Sequence, residues 1–413
     1  MPCSTGWQHT DLANVSIPIE FVLFALTLLG VAVFHRWTLQ VALTGLAAIT
    51  AYKFVGPGFA DGPGITGFIA HLGHEWVVLT NLFALLTGFA ILARHFEETR
   101  IPDVLPRLLP DDWKGGLALL GLVFVMSSFL DNIAAAMIGG TMAASVFRGR
   151  VHIGYLAGIV AASNAGGSGS VIGDTTTTMM WIEGVAATDV LHAYVAAFAA
   201  FFVFAIPASL QQHRYSPITK DVTTQFLIDW TRTGVVVFLL AAAVGTNIFV
   251  NLNFPEQADH FPFIGVAVWI AILMSAPLRH PEWSLLPDAA RGSLFLLALV
   301  MCASLMPVER LPAASWPTAL GLGFLSAVFD NIPLTKLALE AGGYDWGFLA
   351  YAVGFGGSMI WFGSSAGVAL SNRFPEARSV GAWLRGGWHV ALGYVVGFLV
   401  LLATLGWHPH PPH

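Results

Sequence analysis

Charge is scarce in this 413-residue chain: only 10% of residues are Asp, Glu, Lys or Arg, while 56% are hydrophobic. An ordinary soluble domain carries roughly 25% charged residues, so a water-solvated globule is excluded. Cysteine is nearly absent. The two present, Cys3 and Cys302, make neither a disulfide framework nor a zinc pattern. The net charge of −6 is spread over short loops, without the basic block that nucleic acid requires and without a low-complexity tail. A basic n-region ahead of the first apolar segment is also missing, so that segment is expected to be retained rather than cleaved as a signal.

Long apolar runs are what the chain has instead. Segments of about 20 apolar residues can span a bilayer, and these fall at 18–35, 39–55, 76–95, 152–181, 191–210, 233–251, 262–278, 291–306, 347–371 and 387–405. The expected fold class is therefore an all-α membrane protein with about ten transmembrane helices. Two further apolar stretches, 116–147 and 317–340, are each interrupted near the middle by an Asp-Asn pair. Their halves are too short to cross, so they are expected to be re-entrant hairpins with Asp131-Asn132 and Asp330-Asn331 near the tips.

The runs that interrupt the apolar pattern come in pairs. SNAGGSGSVIGDTTTTMMW at 163–181 and GFGGSMIWFGSSAGVALSN at 354–372 align with an offset of 190, which places Gly166, Gly167, Ser168 and Gly173 on Gly356, Gly357, Ser358 and Gly363. SSFLDNIAAAMI at 127–138 and SAVFDNIPLTKL at 326–337 align with an offset of 199, which places Ser127, Asp131 and Asn132 on Ser326, Asp330 and Asn331. Paired, interrupted apolar segments in corresponding halves are the sequence mark of a transporter's midplane site. The expected organisation is a first repeat over 1–210, with hairpin 116–147 and broken helix 152–181. A polar connector follows over 211–232, then a second repeat over 233–413 with hairpin 317–340 and broken helix 347–371.

Loop charge orients the scheme. If the hairpins do not cross, 15 of the 18 Lys and Arg residues fall in loops on one side, among them Arg36, Arg107, Lys220 and Arg279. That side is cytoplasmic by the positive-inside rule. Both termini then lie outside, and five crossings per half make the two repeats inverted.

Asp131, Asp174 and Asp330 put three potential negative charges near one midplane, where irregular backbone survives only against protein or a wet cavity. They attract cations and repel a carboxylate substrate. A carboxylate that can hold either a proton or a metal ion meets the physical requirement for exchanging the two. Asn132 and Asn331 accompany them, and hydroxyl and amide oxygens are offered by Ser127, Asn164, Ser168, Thr175, Thr176, Ser358, Ser364 and Ser365. Na⁺ is the expected metal at Asp131, Asn132, Asp330 and Asn331. For each aspartate the alternative is helix capping, and for the threonines a bond back to their own helix. Lys336, six residues after Asp330 in an apolar stretch, reads either as a countercharge to Asp330 or Asp174 or as a side chain snorkelling to the interface. His408, His410 and His413 form a tail expected to be solvated rather than metal-binding.

The motifs NAGGSGSVIGDTTTTMMW and GGSMIWFGSSAGVAL, with the two Asp-Asn hairpin motifs, resemble those of the NhaD-type sodium/proton antiporters of the ion transporter superfamily, which also holds citrate, dicarboxylate and arsenite carriers. The resemblance covers about residues 76 to 405, with four separate signatures in order. It implies two inward-directed hairpin tips and two interrupted helices around an ion site, a scaffold region mediating a homodimer, and elevator-like movement. By position it points to Asp131, Asn132, Asp174, Asp330 and Asn331 as the ion- and proton-handling set. Departures are Val171, where the family pattern leads one to expect proline, and Lys336; the chain is also short, as if one N-terminal helix were lacking.

The expected function is secondary active Na⁺ (or Li⁺) export in exchange for H⁺ by alternating access. The alternative is a Na⁺- or H⁺-coupled carrier of citrate, a dicarboxylate or an inorganic oxyanion. An intramembrane enzyme would need a nucleophile with its base or a metal-ligand set at depth, and the motif segments contain no His or Cys. The expected partners are membrane lipid, small inorganic ions and a second copy of the chain, with no nucleic acid and no cofactor beyond the transported ions. The expected location, from the resemblance and the lack of organelle-targeting features, is a bacterial inner membrane.

Overall fold

A computed structural model of the chain describes residues 18–34, 37–60, 62–104, 109–218, 227–254, 257 and 260–410. Cys3, Arg36, Arg107, Lys220 and His413 lie outside the described residues. Among those described, the regular secondary structure is helical, with no β-strand.

The first half opens with α1 (Ile19–Val33), α2 (Thr38–Val55) and α3 (Gly64–Glu98). Next come the two arms of a hairpin, α4 (Trp113–Ser127) and α5 (Asn132–Val146), then a helix broken into α6 (Ile153–Ser168) and α7 (Thr175–Ile182), then α8 (Ala193–Tyr215). The same order recurs. α9 (Trp230–Asn253), α10 (Phe263–Ser275) and α11 (Leu286–Ser304) precede hairpin arms α12 (Trp316–Ser326) and α13 (Asn331–Ala341). A second broken helix, α14 (Trp346–Gly356) and α15 (Ser365–Arg373), leads to the short α16 (Val380–Gly386) and the closing α17 (Trp388–Thr404).

The interruptions thus fall where the Asp-Asn and glycine motifs stand. Many of the segments restart on a capping side chain that satisfies first-turn amides. Asp112 accepts from the Lys114 amide, Asp229 from Arg232, Asp345 from Gly347, and Ser315 builds a capping box with Thr318.

Five described helices are long and apolar enough to cross a membrane, or six if the bent pair α16 and α17, at 60° to each other, is one span. This is fewer than the ten expected segments. The shortfall has a physical origin: two expected spans are broken at their glycines, and α1 and α10 are only 15 and 13 residues long. One expected boundary was also short. α3 begins at Gly64 rather than near 76 and runs for 35 residues, roughly 52 Å at 1.5 Å per residue.

Packing sorts the helices into two groups. In one, α1 lies on α2, α2 on α11, and α3 on α9, α10 and α11; the other holds the hairpins, the broken helices, α8 and α17, with α8 against α17 and α6 as its most extensive contacts. The hairpins cross between halves, since α5 packs on α15 and α13 on α7. The groups meet chiefly where α13 lies on α11 and α7 on α3.

Glycine makes the close packing of the second group possible, at matched places. A Cβ on Gly166 would stand 2.0 Å from the Phe124 carbonyl oxygen, and one on Gly356 would stand 2.2 Å from that of Gly323. These partners correspond too, because Phe124 and Gly323 are 199 residues apart, the hairpin offset. Each broken helix therefore lies backbone to backbone on its own hairpin.

At the start of α9, Asp229 is clamped by the Arg279 guanidinium through Nε (2.9 Å) and Nη2 (3.2 Å). Those bonds, with the Arg232 amide, hold its carboxyl below the usual carboxylate range. The C-terminal tail also docks, contrary to the solvated tail expected: the His408 amide donates to Asp345 (2.9 Å) and His410 Nε2 lies 3.2 Å from Asp189.

Candidate ion site

The breaks in α6/α7 and α14/α15 meet the two hairpin tips, and a chain of side chains links them. Asp174 caps α7, its Oδ1 accepting from the Thr176 amide (3.4 Å) and its Oδ2 from the Thr176 hydroxyl (2.8 Å). The Asn132 amide, from the first hairpin, donates to Asp174 Oδ1 and to Asn164 Oδ1, each at 3.1 Å. Asn164 in turn donates to Ser358 Oγ (2.9 Å) and Ser364 Oγ (3.1 Å) of the other half. Ser364 caps α15 through the Gly367 amide. Asn164, Ser358 and Ser364 are wholly buried.

At the second hairpin, Asp330 caps α13, its Oδ1 accepting from the Ile332 amide (3.1 Å), while its Oδ2 accepts from Ser365 (3.2 Å). The two readings of these aspartates, cap and site carboxylate, are both met in Asp174 and Asp330. Asp131 differs, for it caps α5 by position without a side-chain bond.

Three buried polar atoms here have no hydrogen-bond partner: Asp131 Oδ1, Ser127 Oγ and Asn331 Nδ2. Leaving a buried polar group unpaired costs about 1–3 kcal/mol. Two of the three are oxygens beside irregular backbone, the donor chemistry of a small hard cation.

Two cavities reach these carboxylates. One of about 250 Å³ touches Asp330 and Ser365 and is walled by Leu28, Val31 and Thr38 of the first helix pair, with Ile133, Phe295 and Phe362. The other, about 10 Å³, lies between Asp131, Asp174, Thr175 and Thr178 and the α3 side chains Leu82, Leu85, Leu86 and Phe89. That is room for about one water-sized occupant.

Other expected oxygens are used differently. The Ser168 hydroxyl turns back to Ala165 O (2.9 Å). Thr177 and Thr178, which the sequence did not single out, bond the carbonyls of Ser170 (2.6 Å) and Val171 (2.9 Å) and so fasten the break to α7. A run of four threonines after a glycine-rich break was the available signal.

Lys336 is neither a snorkelling side chain nor an ion-pair partner of Asp330 or Asp174. It is 2% exposed, and its Nζ lies 2.7 Å from Glu183, 2.7 Å from Glu340 and 3.0 Å from Glu75. The physical reason is direction: six residues into α13, it points along the helix to where α3 and the end of α7 bring carboxylates. No group of three or more His, Cys, Asp or Glu side chains among the described residues is arranged to hold a metal ion, so any cation here must take its oxygens from Asn, Ser, Thr and backbone as well.

Apolar helices whose capped half-helices converge on buried carboxylates are the arrangement of a transporter's midplane site. No family model matches the chain. Over 384 residues it is 27% identical to the Na(+)/H(+) antiporter NhaD of Vibrio parahaemolyticus, covering 79% of this chain and 90% of that protein. It is 28% identical over 294 residues to sodium/proton antiporter 1 of Arabidopsis thaliana, covering 62% of this chain and only half of that protein, and 25% identical over 332 residues to NhaD of Halomonas elongata, covering 68% and 66%. These similarities support the NhaD-type sodium/proton antiporter family for the chain.

Proposed function

We propose that the chain exchanges Na⁺, or Li⁺, for protons, using Asp131, Asp174 and Asp330 as the groups that hold either ion. The observation that carries this reading is the Asp174–Asn132–Asn164–Ser358 network, which ties a hairpin tip and both helix breaks into one buried cluster of oxygens. The names of the relatives agree with it.

Helix N-termini attract anions through free amides, but at α7, α13 and α15 first-turn amides are already bonded to Asp174, Asp330 and Ser364. That disfavours the anion carrier. Asn132 positions Asp174, Asn331 offers its unpartnered amide beside Asp330, and Ser127, Thr175 and Ser365 add oxygens. Exchange requires only that a carboxylate release its cation on one side and take a proton there, then give up that proton on the other side as it binds the next cation.

Alternating access follows in this reading from two inverted repeats. The group of hairpins and broken helices moves as an elevator against the group built on α3 and α11, and the latter carries a homodimer contact. The protein lies in a bacterial inner membrane with both termini outside and uses no cofactor.

The test is transport by purified protein in liposomes with an interior pH dye. Addition of Na⁺ or Li⁺ should drive proton movement that Asp131→Asn abolishes. Silence with both cations, together with uptake of labelled citrate, would replace this reading with the carrier.

A further inference from the structure

Four charged side chains stand together apart from the central cluster. Lys336 comes from α13, Glu340 lies one turn further along it, Glu183 follows the end of α7, and Glu75 comes from α3. The placement has a simple geometry. α7 and α13 both begin at a central aspartate, Asp174 and Asp330, and both run to this cluster. Lys336 is about 9 Å along its helix from Asp330, and Glu183 about 13 Å from Asp174.

The cluster is not electrically closed. One ammonium against three carboxylates leaves two negative charges uncompensated when all are ionised. Among the described residues other charges do not offset them: Lys53 of α2 faces Glu20 and Glu309, and His74 beside Glu75 is exposed. On η-turn 308–310, Glu309 and Arg310 are exposed, and on α11 the exposed Asp288 and Arg291 pair with each other at the first turn. His71, one turn before Glu75, is engaged with Ser304 of α11. α12 carries no charged residue, and the Tyr351 hydroxyl of α14 bonds the α17 backbone.

Within the cluster Glu75 stands out. It is 7% exposed, and its Oε2, though 3.0 Å from Lys336 Nζ, has no hydrogen-bond partner, whereas Glu183 and Glu340 are part-exposed and sit at 2.7 Å. A buried carboxylate oxygen in ionic contact but without a hydrogen bond has room for a proton. The fold does not require carboxylates at this place. By the repeat offsets the equivalents of Lys336, Glu340 and Glu183 are Met137, Thr141 and Arg373, so the carboxylate cluster occupies one of two related positions and is directional.

We infer that Glu75 is the proton-binding carboxyl of a second site, held by Lys336, Glu183 and Glu340, and that its protonation sets the pH dependence of exchange at the central site. The proton comes from water on the side that Glu183 and Glu340 face, outward in the orientation proposed above, and returns there; no bond other than O–H is made or broken. The link to exchange rests on the antiport reading, while the proton site itself does not.

The test is cation-driven exchange against external pH in liposomes, for the whole protein and three variants. Removing the ammonium in Lys336→Met should move the pH of half-maximal rate up by about one unit, because the carboxylates then hold the proton more tightly. Removing a carboxylate in Glu340→Gln should move it down by a similar amount, and Glu75→Gln should flatten the profile. Midpoints that stay at the wild-type value, or that move in one direction in both charge variants, overturn the inference. Should Lys336→Met fail to fold, the part-exposed Glu340→Gln still decides by its downward shift. Infrared difference spectra on acidification give a readout independent of transport: a protonated-carboxyl band present in the wild type must be missing in Glu75→Gln, and its persistence there overturns the proton site even if exchange is never observed.

Discussion

Asn164 donates to Ser358 across 194 residues of sequence, at 2.9 Å and without exposure to solvent. The same amide reaches Ser364, and its oxygen receives Asn132. One side chain thus joins three of the four interrupted segments. Asn164→Ala should leave several buried polar groups unpaired, at about 1–3 kcal/mol each, and slow cation-driven exchange at least ~10-fold. An initial rate equal to wild type, measured in liposomes, would show that the network does not serve transport.

Asp131→Asn and Asp330→Asn should each abolish cation-dependent proton movement while leaving thermal stability close to wild type. Asparagine is as good a helix cap as aspartate, so the Asp330 bond to the Ile332 amide survives while the charge does not. Exchange persisting in both variants would remove these carboxylates from the site.

Much of this arrangement was legible in the sequence because motif and break coincide. Asp-Asn pairs and glycine runs are poor helix interiors, and the helices restart at Asp131, Asp174, Asp330 and Ser364. The first turns of α3 were missed because Gly64, Gly67, His71, Gly73 and His74 dilute its apolar signal; packing keeps the segment helical all the same. The partners of Lys336 were out of reach for another reason. Glu75 and Lys336 are 261 residues apart, and no local pattern records a contact made only when α3 and α13 come together.

Gly166→Ala and Gly356→Ala should both lower the yield of folded protein and the melting temperature, since each new Cβ meets a backbone carbonyl that cannot rotate away. Overpacking of this kind costs about 1–3 kcal/mol or more. Gly245→Ala is the control: a Cβ there has nothing within 4 Å, and alanine in a helix interior should stabilise by up to ~1 kcal/mol. Equal melting temperatures for Gly166→Ala and Gly245→Ala would contradict the packing described.

Asp229→Asn should weaken the clamp on α9 by the same amount at every pH near neutrality. A carboxylate held below its usual range contributes stability above the unfolded-state value and loses it only as pH falls through the lowered one. Melting curves of the variant and the wild type from pH 6 to 9, about two units or more above the usual Asp value, should therefore run parallel. Convergence toward pH 6 would show that Arg279 does not hold Asp229 as the bond lengths indicate.

The backbone contact between Gly166 and Phe124, with its twin between Gly356 and Gly323, also bears on how many pieces the machine has. Where main chain rests on main chain there is no side chain to act as a bearing, and a slip of an ångström either collides or opens a void. A hairpin and its broken helix are in this sense one casting. If an ion is ferried across the membrane, the four interrupted segments behave as two solid blocks, and the compliance must come from the seams where α13 meets α11 and α7 meets α3.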